Sequence, residues 1–177
     1  MQDNMLIFIR CNFIVVLAGL LFSLLLSSCS NYSFVSDVGV ADVNSDQLST
    51  AIILQKINGV RKAHGKKPLK YNFKLANAAQ THSNLMASKG KLSHELGGSL
   101  RQRVTNAGYI GAVGENLAGG HETLEAAING WLNSPPHRST LLNEKFSEFG
   151  LAQRRSNNGK YSNYWTFIAG GDFAAWR

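Results

Sequence analysis

Two histidines, a glutamate and an asparagine sit in short polar words about twenty residues apart: Ser93-His94, Gly114-Glu115-Asn116, and a longer word from Trp131 through Ser134 and two prolines to His137-Arg138. Imidazoles and carboxylates bind metals and move protons near neutral pH, so these words are where chemistry is expected. Each also has a structural alternative. His94 can follow a turn and bond a backbone carbonyl. Glu115 is flanked by turn glycines and can order its loop by accepting backbone N–H bonds, and Asn116 can satisfy a turn with its amide. His137 falls in the first turn of a short helix, where the positive dipole end disfavours a second proton and keeps the ring neutral, as a ligand or base requires. Its alternative is pairing with Ser134 or a neighbouring carbonyl.

Other candidates carry less. His121-Glu122-Thr123-Leu124-Glu125 ends in glutamate where a helical zinc pair needs a second histidine. Glu122 and Glu125 instead complement a helix N-terminus. His64 at a helix end and His82 on an apolar face read as structural. Ser93 adjoins His94, but adjacent residues do not make a nucleophile and base pair, and there is no Gly-x-Ser-x-Gly word.

The elements that must hold these words follow from periodicity. Asn44 or Ser45 is placed to cap a helix in which Leu48, Ile52, Ile53, Leu54, Ile57 and Val60 recur until Gly65. A second helix is predicted from about Asn72 to Ser88, stopped by Gly90, and a third from Ser99 to Asn106, closed by Gly108. Glycines at 108, 111, 114, 119 and 120 make Glu115 to Ala118 a short extended segment between turns. Thr123 caps a fourth helix whose Leu124, Ala127, Ile128, Trp131 and Leu132 form one buried stripe. Pro135-Pro136 ends it and starts a one-turn segment. Phe149 to Gln153 and Tyr161 to Ile168 alternate as two strands joined by a turn at Ser156 to Gly159. Four helices and about three antiparallel strands make a layered α+β domain.

The N-terminal region reads as delivery. Arg10 precedes an apolar stretch, Phe13 to Leu26, which is short of the ~20 residues that span a bilayer and matches an export signal. Leu26-Ser27-Ser28-Cys29 resembles a bacterial lipobox, whose cysteine is lipidated and becomes the first mature residue. The expected organisation is a signal over 1–28, a lipidated N-terminus and flexible tether over 29–45, and one domain over 46–177. Ser30 resembles the outer-membrane sorting signal of Gram-negative lipoproteins; in other bacteria the extracytoplasmic face of the plasma membrane is expected. Cys11 lies in the signal, so the mature chain has no internal disulfide and no free thiol for catalysis. The net charge of +7 suits anionic envelope polymers or lipid headgroups. Its lysines and arginines are scattered without the interleaved aromatics of a nucleic-acid platform.

Leu54 to Asn58 with Arg61, Leu92-Ser93-His94, Arg103, Gly108-Tyr109, Gly114 to Ala118, Trp131, Ser134 to Arg138, Phe149-Gly150 and Trp165 together resemble the CAP superfamily: cysteine-rich secretory proteins, antigen 5 and pathogenesis-related 1 proteins, here in bacterial SCP-like form. The resemblance runs over about residues 48 to 173. It implies an α-β-α sandwich and a cleft where, in eukaryotic members, two histidines and two glutamates can hold a divalent metal. His94 and Glu115 match two of that tetrad, Ser134 stands where the second glutamate lies, and His137 is the histidine of the bacterial pattern. Zinc held by His94, Glu115 and His137 with an open water position is chemically reasonable. Two functions remain in view: a monomeric, membrane-anchored module that binds a lipid, peptide, glycan or envelope protein through His94, Glu115, Asn116, Ser134 and His137, or a metal-assisted hydrolase with Glu115 as base.

Overall fold

The computed structural model describes residues 48–157 and 159–177. The expected signal, the lipobox Cys29 and the tether lie outside the described residues. Helix α1 (Thr50–Ala63) begins later than the apolar pattern suggests, because its cap is Ser49, whose hydroxyl accepts from the Ile52 N–H, and not Asn44 or Ser45. It buries Ile53, Ile57 and Arg61, one helical face. Strand β1 (Lys70–Tyr71) follows, then α2 (Phe73–Lys89), started by the Asn72 side chain accepting from two backbone N–H groups and stopped by Gly90 at φ 61°. Helix α3 (Leu100–Asn106) is capped by Ser99, and α4 (Leu124–Leu132) by Thr123.

The expected one-turn segment after the prolines is helix α5 (Pro135–Leu142), eight residues long. Proline at N1 loses nothing by lacking an N–H, and the helix continues far enough to drive Leu141 fully into the core. The segment around Glu115 is a full strand, β2 (Ala112–Gly119), and β3 (Glu148–Arg155) and β4 (Asn163–Gly171) complete the sheet.

The sheet order is β1-β3-β4-β2. It therefore has four strands, one more than the three expected, and it is mixed: β1 runs parallel to β3, while β3 with β4 and β4 with β2 are antiparallel. β1 is only two residues long and pairs with a strand far along the chain, so no local pattern marks it. Every residue of central β4 is buried. A strand covered on both faces means helices on both sides.

On one side Phe149, Leu151, Trp165, Phe167 and Ala169 pack with α1, α4 and α5 through Ile57, Ile128, Trp131 and Leu141. On the other, Ala152 and Ile168 meet Leu75, Ala78 and Ala79 of α2 and Val104 of α3. This is the α-β-α sandwich of the expected α+β class. The α2 layer lies very close: a Cβ on Gly150 would stand 2.1 Å from the Ala76 backbone nitrogen. Small residues on α2 and a glycine on β3 make that approach possible. Trp131 Nε1 donates to the Leu117 carbonyl at 3.0 Å, fixing α4 against β2. Each fully buried large apolar side chain contributes about 1.5–3 kcal/mol.

Candidate functional site

β2 is an edge strand, and residues alternate across it. Glu115 therefore faces the α2 and α3 layer, while Asn116 faces α4 and α5. The two neighbouring polar residues of one word serve opposite sides of the sheet.

On the first side, the Glu115 side chain is only 2% exposed and both its oxygens are engaged. The Arg103 guanidinium donates to Oε2 at 2.6 Å, and His94 Nδ1 lies 2.7 Å from Oε1. Because Arg103 binds the carboxylate as an ion, the His94 Nδ1–H is the donor to Oε1, and in the neutral ring Nε2 is then the acceptor, on a side chain that is 53% exposed. Arg103 also donates to the carbonyls of His94 at 2.7 Å and Gly98 at 3.2 Å, so one buried cation holds both the carboxylate and the loop carrying the histidine. That loop turns at Gly97 and Gly98, with φ of 74° and 100°, and is anchored by Leu92 and Leu96 against the core. Burial pushes the Glu115 carboxyl up from its ordinary range, while the Arg103 charge and the His94 bond pull it back.

His82, read from the sequence as structural, is fully buried on α2 with Nε2 4.0 Å from Glu115 Oε2. Burial, reinforced by the positive charges of Arg103 and His94, pushes its pKa down to about 4, so it is neutral behind the site. The Ser93 and Leu96 carbonyls lie near enough to pull slightly the other way, yet neither ring nitrogen makes a hydrogen bond of normal geometry.

On the second side, Asn116 is fully buried and its Nδ2 donates to the His137 carbonyl at 2.8 Å, tying the start of α5 to the edge strand. His137 is half-buried, and burial together with the nearby His94 charge holds its pKa below the usual value. Ser134 caps α5 through its backbone alone: its carbonyl accepts from the Arg138 N–H at 2.8 Å and its hydroxyl makes no capping bond.

The structure thus joins His94 to Glu115 on one side of β2 and Asn116 to the His137 backbone on the other, and leaves Ser134 as a helix start. It adds Arg103 and His82. Arg103 was legible: a Ser99 cap puts Leu100, Arg103, Val104 and Ala107 on one face, so Arg103 points inward with Val104. The suggested metal set does not fit. Among the described residues no three His, Cys, Asp or Glu side chains stand close enough to hold an ion, and the Glu115 oxygens are already bonded to Arg103 and His94.

A three-layer α-β-α domain whose edge strand carries a buried carboxylate between an inward arginine and an exposed histidine defines the class. Residues 54–169 match the cysteine-rich secretory protein family, CAP, and the chain belongs to that family. It is 35% identical over 107 residues to the uncharacterized membrane protein YlbC of Bacillus subtilis, covering 58% of this chain and 31% of that one. A solved extracellular protein containing an SCP domain from Bacillus anthracis is 28% identical with a TM-score of 0.58, covering 71% of this chain and 45% of the other. An outer surface protein of Borrelia burgdorferi, 24% identical with a TM-score of 0.61 over 69% of this chain and 91% of its own, shares the fold. The chain spans well under half the length of the curated relatives it matches.

Proposed function

We propose that the protein is a lipid-anchored bacterial envelope protein whose CAP domain binds a ligand or partner through the cleft at His94 and His137. The observation that carries this reading is the state of Glu115. A general base needs a carboxylate free to accept a proton, whereas this one is buried and bonded at both oxygens. It acts as an anchor that fixes His94 in one tautomer and one orientation. His94 Nε2 is then a rigid, outward acceptor, suited to a donor-rich ligand such as glycan hydroxyls or peptide amides. The hydrolase reading loses its base under this arrangement.

The relatives support the location: one is named a membrane protein, one extracellular and one an outer surface protein. Attachment in this proposal is by acylation at Cys29, which follows the lipobox-like Leu26-Ser27-Ser28. Retention of the purified protein on isolated envelope fractions tests it. His94→Ala/His137→Ala should lose retention while remaining folded, with a melting temperature lowered only by the loss of the His94–Glu115 bond. Retention unchanged in that variant refutes the cleft as the binding face. Labelled palmitate should enter the parent and not Cys29→Ser; equal labelling refutes the anchor.

A further inference from the structure

We propose that one end of the domain is a docking surface for an anionic lipid bilayer. Among the described residues five large apolar side chains are exposed, and four of them gather where β4 finishes and β2 and β3 begin: Ile110 at 85%, Phe73 at 71%, Phe173 at 46% and Trp176 at 43%. They are physically continuous. Phe73 and Ile110 flank an open groove of about 520 Å³ that Lys74 also lines. Arg101 donates to the carbonyl of Gly111, next to Ile110, and its guanidinium lies 5.3 Å from the Phe173 ring. Phe173 and Trp176 share one 3-10 turn, and Lys145 Nζ stands 4.9 Å from the Trp176 ring.

Three cations are therefore interleaved with four apolar tips. Two carboxylates stand nearby and keep their charge, Asp172, which accepts from the Ala174 N–H, and Glu148, which accepts from the Tyr109 hydroxyl, so the three cations outnumber the acids by one. Apolar tips that project separately, with aromatic rings beside Lys and Arg, match a membrane interface, where rings sit at headgroup depth and cations meet anionic lipid. The groove beside these tips is open, so this side offers no enclosed pocket to seat an anchor side chain of a protein partner. The net charge of +7 favours the same occupant at long range. This surface is separate from the cleft and does not depend on what the cleft binds.

The test uses the full chain carrying Cys29→Ser, so that no acyl anchor docks it, with vesicles of phosphatidylglycerol and phosphatidylcholine, or phosphatidylcholine alone, in each case with brominated acyl chains that quench tryptophan on contact. Trp131 and Trp165 are 1–2% exposed, so quenching reports on Trp176. Quenching is expected with the anionic vesicles, should disappear at high salt, and should be absent from Trp176→Phe. Each basic residue near an anionic leaflet is worth about fivefold in the partition constant, so Lys74→Gln/Arg101→Gln/Lys145→Gln should lower that constant roughly a hundredfold and abolish quenching at lipid concentrations that half-saturate the parent. Ile110→Ser, at a position outside the core, should weaken it without changing the melting temperature. Chain that floats with anionic vesicles while Trp176 stays unquenched would overturn the proposal, as would quenching equal on neutral vesicles. Self-association in vesicle-free solution that these same substitutions remove would assign the surface to a second copy and overturn it too.

Discussion

Replacing Arg103 by methionine should destabilise the domain more than any other single change in the cleft. Arg103 and Glu115 are 6% and 2% exposed at their side chains and 2.6 Å apart, so removing the cation leaves a carboxylate without its counter-charge in a place water cannot reach. Breaking a buried pair from one side costs about 3–5 kcal/mol. For a domain of this size each kcal/mol moves the melting temperature by about 3 °C, so a fall of roughly 10–15 °C is expected. The pH dependence has a defined sign. An unpaired Glu115 escapes its penalty by taking up a proton, so the deficit relative to the parent should shrink as the pH is lowered. Adding Glu115→Gln removes the stranded charge, so the double variant should be more stable than Arg103→Met alone, with a coupling of at least ~1.5 kcal/mol in the double-mutant cycle. Thermal unfolding followed by circular dichroism measures all four species. A single variant that melts within ~3 °C of the parent, or a cycle without coupling, would refute the claim that this pair anchors the cleft.

Three further outcomes are expected. The His82 pKa is about 4 when folded against 6.5 when free, so its contribution is complete above 6.5 and is lost as the pH falls through that window; the total is at most about 3 kcal/mol, and a His82→Gln variant should show a flatter stability profile between those values in urea titrations. Gly150→Ala should lower stability by more than ~2 kcal/mol, because the new methyl meets the Ala76 and Leu75 backbone at 2.1 and 2.3 Å where nothing flexible can yield. Asn116→Ala frees the His137 carbonyl and should cost about 1–2 kcal/mol, with faster amide exchange in the first turn of α5 as its local signature.

Much of this molecule was written locally. Asn72, Ser99 and Thr123 cap the helices that their spacing predicts, and Gly90 ends α2 in the left-handed conformation. What escaped depends on partners distant in the chain. β1 exists only because Lys70 and Tyr71 lie against Glu148 and Phe149, and the length of α5 is set by the hole that Leu141 fills. The site divides the same way. His94, Glu115 and His137 stand out by type, yet alternation along β2 determines that Glu115 and Asn116 face opposite layers, and where the family resemblance implied a metal, Glu115 is held by an ion pair with Arg103. His82 looked like core and is core, but it is also the neutral back wall behind Glu115.

The central claim is that Glu115 holds His94 in one tautomer as an outward hydrogen-bond acceptor for an envelope ligand. Nitrogen NMR of the histidine rings, recorded above neutral pH with and without envelope material, reads this directly. His94 should carry its proton on Nδ1, show an unprotonated Nε2 whose signal moves on binding, and lose the fixed tautomer in Glu115→Gln. A His94 ring that averages between tautomers in the parent, or an Nε2 signal that ignores bound envelope material, would contradict the account.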